Sequence, residues 1–412
     1  MFIDNPFLYE NFVCGGGGKI IGSERETLGN MSGIRIGTRG SKLALRQAAL
    51  VQTAIAEIDS SIRTELVVLQ TRGDRFQDTP MSMVGDKGIF ASELEKALLS
   101  GHIDLAVHSA KDLPIRLATG LFIAAVLPRA DVRDVLVVPK GGRIPFPSFW
   151  EAGAGIYANA QIEERIAHSR MEAQAGGSQF RIGTGSRRRQ MLARRVWEDV
   201  ICEEIRGNVD TRLKKLQAGH YDGILLAKAG LDRMGIDAEK EEAFDFYPLS
   251  PELFLPAACQ GIIAVEAVQG SVAAAICKEI SDAETELSYL VEREALAQLS
   301  ADCSEAAAAW CRRTASGPEA YTAYSRGQEP AMVRKLESSQ VQRLETSSVG
   351  SLEAAYAATL YGSQMKYPED SMLLDVMYAE NKVRLIGAAE AAEGGRMARR
   401  AAKMVKKQTD WP

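Results

Sequence analysis

The stretch IDLAVHSAKDLP, residues 103–114, carries an apolar run from Ile103 to Val107 into a histidine, a serine, a lysine, an aspartate and a proline. The run reads as a buried strand. The cluster after it is too rich in ionisable groups to be mere connection. Working outward, GIFASELEKALLSG (88–101) reads as a helix stopped by Gly101, and FIAAVL (122–127) as the next strand. Further back, IRIG (34–37) and ELVVLQ (65–70) are strands around a helix whose apolar positions Ala44, Ala48, Val51, Ile55 and Ile58 step by fours and threes. Strands alternating with helices predict an α/β fold with a parallel or mixed sheet.

A second unit begins at DVLVVP (134–139). Residues 141–177 lose periodicity and read as an insertion. Order resumes with strand RIGT (181–184), a helix from Ser186, strand ICEEI (201–205), helix VDTRLKKLQAGH (209–220) and strand YDGILLA (221–227). The Pro-bearing YPLSPELFLPAACQG (247–261) leads to strand IIAVEA (262–267), and beyond about Ser281 a helix opens a smaller α+β region.

Composition narrows the function classes. Lys and Arg number 49 against 54 Asp and Glu, a formal charge of −5, so nothing global suggests nucleic acid. Six cysteines stand without a CxxC pair beside four histidines, which argues against zinc and against a disulfide framework. A reducing compartment fits, and the expected location is the cytoplasm. No apolar run approaches ~18 residues, so no membrane span is expected. CGGGGK (14–19) resembles a phosphate loop only superficially, having no strand before it and no Ser or Thr after Lys19.

In open α/β sheets, ligands bind beyond the carboxyl ends of the strands. Arg39, the cluster His108 to Asp112, Arg187 to Arg189, Arg206 and Arg233 all follow strand ends. One carboxylate, Asp112, therefore faces a rim of guanidinium groups. In GTGSRRRQ (183–190), Gly183 and Gly185 permit a tight turn and Ser186 can cap the helix, whose first amides favour an anion. Arginine forks match carboxylates bidentately. The expected ligand is small and carries several carboxylates or phosphates. Each feature has a plainer reading. A lone basic run is usually solvated surface, His108 reads as a core or supporting group, and Asp112 could merely cap a turn. Several such clusters on one rim outweigh those readings. Simple capture of a polycarboxylate is the competing function, and nucleic-acid binding by the Arg187–Arg195 run is a weaker one, since no aromatics interleave the arginines.

Six motifs, in order, carry a resemblance. They are IGTRGSKLALRQ (36–47), GDKGIFASELEKALLSGHIDLAVHSAKDLP (85–114), IGTGSRRRQML (182–192), IRGNVDTRLKKLQAGHYDGILLAKAGLDRMG (205–235), LPAACQGIIAVE (255–266) and EREALAQLSADC (292–303). The chain resembles the porphobilinogen deaminase, or hydroxymethylbilane synthase, family. The resemblance implies a transferase that joins four porphobilinogens into a linear tetrapyrrole, releasing ammonia, on a dipyrromethane cofactor held by a cysteine thioether. It implies two periplasmic-binding-protein-like α/β domains and a smaller C-terminal α+β domain. The corresponding divisions are an extension 1–32, a first domain 33–129 completed by about 254–272, a second 130–250 holding the 141–177 insertion, and a third 280–412.

By motif, Asp112 corresponds to the family's catalytic carboxylate and Cys303 to its cofactor cysteine. Arg39, Ser41, Lys87, Ser109, Lys111, Ser186, Arg188 and Arg189 correspond to cofactor-contacting positions, and Arg206, Arg212 and Arg233 to substrate-binding arginines. Residues 72–88 correspond to a mobile loop over the site. No metal is expected; the partner is porphobilinogen, and the expected state is a monomer. The chain departs from the pattern at Ala301 and Asp302, where the family has two glycines, at the missing proline in SEAAAAW, at Arg187 for an apolar residue and at Cys259 for a glycine. The insertion and the first thirty residues have no counterpart, and Met31 offers an alternative start.

Overall fold

The computed structural model describes residues 33–70, 92–145, 179–197, 200–299, 306–314 and 317–325, with the strands at 334–336, 375–379 and 382–386. The N-terminal extension, the 72–88 loop with Lys87, most of the insertion and Cys303 lie outside these residues. In chain order the first strands are β1 (Ile34–Arg39), β2 (Thr64–Leu69), β3 (Leu105–Ser109) and β4 (Leu121–Val126). They are followed by β5 (Asp134–Pro139), β6 (Phe180–Gly183), β7 (Val200–Glu203), β8 (Gly223–Ala227), β9 (Phe244–Pro248) and β10 (Ile263–Val268). These ten form two mixed five-stranded sheets of one design. The first runs β2-β1-β3-β10-β4 and the second β7-β6-β8-β5-β9. In each, three parallel strands are followed by an antiparallel one. That antiparallel strand has crossed over from the other unit: the chain leaves β4 to enter the second sheet at β5, and leaves β9 to return at β10. The two connections, 127–133 and 249–262, lie side by side. Gly261 (φ +89) is required there, because a Cβ would meet the Ala130 carbonyl oxygen at 2.5 Å.

Helices cover both faces of the first sheet. Helix α1 (Lys42–Ile58) begins at Ser41, whose hydroxyl accepts from the Ala44 amide at 3.2 Å. Its stripe Ala48, Val51 and Ile55 is fully buried against Leu105, Val107 and Val265. Burial of each large aliphatic is worth about 1.5–3 kcal/mol. On the opposite face, Leu94 and Leu98 of α2 (Ser92–Leu99) pack on Ile103 and Ala106. The second sheet is flanked by α3 (Arg187–Val196), α4 (Val209–Gln217) and α5 (Lys228–Met234), and α6 (Val272–Lys278) follows β10. Helix α7 (Ala283–Leu299) then leads to the antiparallel β11 (Ala306–Thr314), β12 (Gly317–Ser325) and β13 (Arg334–Leu336), with a hairpin β14 (Asp375–Ala379) and β15 (Lys382–Ile386) beyond.

Several elements differ from the sequence reading. β1 extends through Arg39, so that residue ends the strand instead of following it. β7 stops at Glu203. The sequence reading assigns no strand at Phe244–Pro248, yet FDFYP alternates Phe244 and Phe246, packed on the core, with Asp245 between them. Helix α6 is a further addition, and Ser271 caps it through the Ala274 amide. Both elements are short, and burial between neighbours stabilises them more than their own period does.

Candidate active site

β3 delivers the chain to one 3-10 turn, Ala110–Asp112, anchored by the Ala110 amide on the Ile262 carbonyl at 3.0 Å. Asp112 stands exposed at the end of this turn and Lys111 half-buried beside it. Burial, with repulsion from Arg189 and Arg188, presses Lys111 down to about 8 against the pull of Asp112 and Asp134. Arg212 is likewise pushed down to about 10, first by burial and then by Arg189, while Asp112 pulls it up. Asp112, Lys111, Arg188, Arg189 and Arg212 therefore share one electrostatic neighbourhood, although 100 residues separate Asp112 from Arg212 in the chain.

Arg188 and Arg189 are buried, at 4% and 6% exposure, and their partner is Asp134 at 0%. Arg188 Nη1 donates to Asp134 Oδ2 and to the Leu255 carbonyl, both at 2.7 Å. Arg189 donates through Nε and Nη2 to Asp134 Oδ1 at 3.1 and 2.8 Å, and through Nη1 to the Leu225 carbonyl at 2.8 Å. Gln260 Nε2 adds a fourth donor to Asp134. Burial alone would raise this carboxyl; the two guanidiniums more than reverse that and hold it well below the usual carboxylate range. Across the cluster, four cations (Lys111, Arg188, Arg189, Arg212) face two carboxylates (Asp112, Asp134), a surplus of two positive charges. Arg188 Nε is buried without a hydrogen-bond partner among the described residues. Such a site favours an anion with more than one acidic group.

The other expected site residues have these places. Ser186 caps α3 through the Arg189 amide at 3.4 Å. Ser109 Oγ accepts from Gln47 Nε2 at 2.9 Å. Arg206, beyond β7, pairs with Glu204 at 2.7 Å. Arg212 Nε donates to the Gly207 carbonyl at 2.8 Å. Arg233 donates through Nη2 to the Gly261 carbonyl at 2.6 Å, where the two connections meet, and burial pushes it down to about 10. His108, expected as a supporting group, meets buried Glu266 at 2.9 Å inside the first unit. Asp134 and Gln260 escape a reading of the sequence alone; a lone carboxylate opening an otherwise apolar strand is the available signal for Asp134. Arg188 and Arg189 of the Arg187–Arg195 run are buried, while Arg187 and Arg194 are exposed.

Residues 34–275 match the family model described as porphobilinogen deaminase, dipyromethane cofactor binding domain. The chain is 36% identical over 271 residues to a probable porphobilinogen deaminase of Hyperthermus butylicus, covering 66% of this chain and 78% of that one. It is 39% identical over 280 residues to the porphobilinogen deaminase of Nitrobacter hamburgensis, covering 67% and 78%. With that of Lachnospira eligens it shares 41% over 237 residues, covering 57% and 69%. Two exchanged α/β units, a carboxylate among arginines at their strand ends and this match over most of both units together place the chain in the porphobilinogen deaminase family.

Proposed function

We propose that the protein condenses four porphobilinogen molecules head to tail into hydroxymethylbilane, releasing ammonia, in tetrapyrrole biosynthesis. The observation that carries this reading is the surplus of positive charge in the electrostatic neighbourhood that Asp112 shares with Lys111 and Arg212, backed by Arg188 and Arg189 on Asp134. Each porphobilinogen brings two carboxylates, and a growing chain brings more. Arg212 and the half-buried Lys111 can meet those acids directly, while Arg188 and Arg189 supply the field behind them. As ammonia leaves, positive charge develops on the pyrrole. Asp112 is placed to stabilise it and to accept the pyrrole N–H, a preorganised electrostatic contribution of the kind that dominates many rate enhancements. Arg39, Ser41 and Ser109 stand at strand and helix ends on the same side of the first unit, Arg206 follows β7 of the second, and Arg233 lies in the last turn of α5. The test is direct: purified protein given porphobilinogen should release ammonia and form a linear tetrapyrrole. A capture protein would bind it and release none.

The residues present suit a dipyrromethane. Its acidic side chains fit the surplus charge, and the orphaned Arg188 Nε marks a buried donor still able to bond an acid. Lys111, Arg188, Arg189 and Arg212 would hold it, with Cys303 as the covalent anchor. When bound, it supplies the pyrrole on which the chain grows. Cys311 is no substitute anchor: its side chain is buried in β11, and its amide donates to Glu292 at 2.7 Å. The intact mass of native protein is expected to exceed the sequence mass by one two-pyrrole adduct, mapped to the Cys303 peptide. Active enzyme with an unmodified Cys303 would refute this attachment. The same proposal takes the protein as cytoplasmic and as a monomer, the oligomeric state being checked by light scattering. No helix among the described residues is long and apolar enough to cross a membrane.

Lys111 makes the reading sensitive to pH. Its charge is present below about 8 and lost above it, so one of the four cations disappears as the pH rises through that value. The KM for porphobilinogen is expected to climb above this pH. In Lys111→Met the KM should be high throughout, with no inflection there. Identical profiles for the two proteins would remove Lys111 from substrate binding.

A further inference from the structure

Two consecutive residues of α7, Glu292 and Arg293, reach back to the elements that carry the site. Glu292, 1% exposed, accepts from Arg129 at 2.6 and 3.1 Å and from the amides of Cys259 and Cys311. That set fixes the helix against the connection between the two units and against β11. It also holds Cys259 in a left-handed conformation (φ 60), one that costs a non-glycine residue about 1–2 kcal/mol.

Arg293 does something different. Its guanidinium reaches three successive carbonyls of the segment that follows Asp112: Nη1 donates to Leu113 at 3.2 Å, and Nη2 to Ile115 at 2.7 Å and to Pro114. This segment, 113–120, contains no helix or strand, and Pro114 brings no N–H of its own. Other hydrogen bonds of the segment include the Leu113 amide on the Ala110 carbonyl at 3.3 Å, the Ala118 amide on Glu95 at 3.1 Å and the Gln269 amide on the Gly120 carbonyl at 3.0 Å. Three carbonyls aimed at one cation fix the direction of the chain leaving the 3-10 turn, and hence the setting of Asp112. Tyr289, one helical turn earlier, lies under the guanidinium at 5.8 Å from its ring centre and limits its swing. In sequence, Cys303 follows ten residues after Arg293.

We propose that Arg293 is a positioning residue for the condensation: it locks the segment after Asp112 to α7, so that the carboxylate keeps one setting. This rests on the function proposed above. Misplacing a reacting group by about 1 Å can cost about 10² in rate. Arg293→Gln removes the charged fork and leaves one short donor, so kcat should fall by about 10–10² with KM little changed. Arg293→Lys, which keeps a charge and can reach one carbonyl, should recover part of that loss. Hydrogen exchange of the amides from Leu113 to Ala118 should quicken in Arg293→Gln while the central strands stay protected.

A mutant cycle with Asp112 separates positioning from general support. Wild-type turnover of porphobilinogen and its collapse in Asp112→Asn are measured first; failure there defeats the proposed function and not this inference. If both hold, Arg293→Gln should cost less than about twofold when added to Asp112→Asn, because its effect runs through the carboxylate already lost. The same proportional loss in both backgrounds would overturn the proposal, as would unchanged exchange at residues 113–118 or normal kcat in the single variant. Should Arg293→Gln fail to fold, Arg293→Lys takes its place in the cycle: a loss confined to the Asp112 background supports the proposal, and an equal loss in both overturns it.

Discussion

Asp112→Asn is expected to lower porphobilinogen turnover by at least about 10²–10³ while the unfolding transition stays where it is. The figure is the loss seen on removing one preorganised stabilising group, and a full charge should count for no less. Stability should survive because the side chain is exposed and asparagine is nearly isosteric. The 3-10 turn is instead held by backbone, with the Ala110 amide on Ile262 and the Leu113 amide on Ala110. The turn-capping reading of Asp112 predicts the reverse, a lower melting temperature with chemistry intact. Turnover and thermal unfolding measured on one preparation decide between them, and a stable variant with near-normal turnover would defeat the mechanism.

Asp134→Ala should have the largest effect on stability. It would leave Arg188 and Arg189 facing each other with their shared carboxylate gone, in a site where both are almost fully buried. Removing one partner of a buried ion pair costs about 3–5 kcal/mol, because the remaining charge stays out of water without compensation. A fall in the denaturant midpoint of that size, at unchanged slope, is the expected observation. The pH dependence of the wild type should agree. Asp134 is held below the usual carboxylate range in the folded protein, so its contribution is present above the unfolded value of about 3.9 and fades as the pH falls below it. Wild type should therefore lose stability in acid more steeply than Asp134→Ala does. Parallel acid curves would show that the buried carboxylate is not linked to folding in this way.

The order of strands and helices was legible because each long element carries its own period. The stripe of α1 and the apolar run of β3 need no distant partner to be recognised. The family was legible too, since most of the long ordered motifs lie within the matched residues 34–275. β9 and α6 escaped because they are short, and their signals (FDFYP and a serine cap) are weak in isolation.

By itself, then, the sequence determined an α/β chain with an acid and several arginines at its strand ends, and with the motifs of one enzyme family. Tertiary structure alone decided which of those charges meet. Sequence period says nothing of the exchange of β5 and β10 between sheets, because an antiparallel fourth strand is as apolar as a parallel one. Nor does it show that Arg188 and Arg189 are engaged by Asp134, 54 and 55 residues away, or that Arg293 reaches 180 residues back to the carbonyl beside Asp112. A buried charge selects its partner by distance and desolvation in the folded chain. Those are properties of the packed whole, which no local stretch of sequence carries.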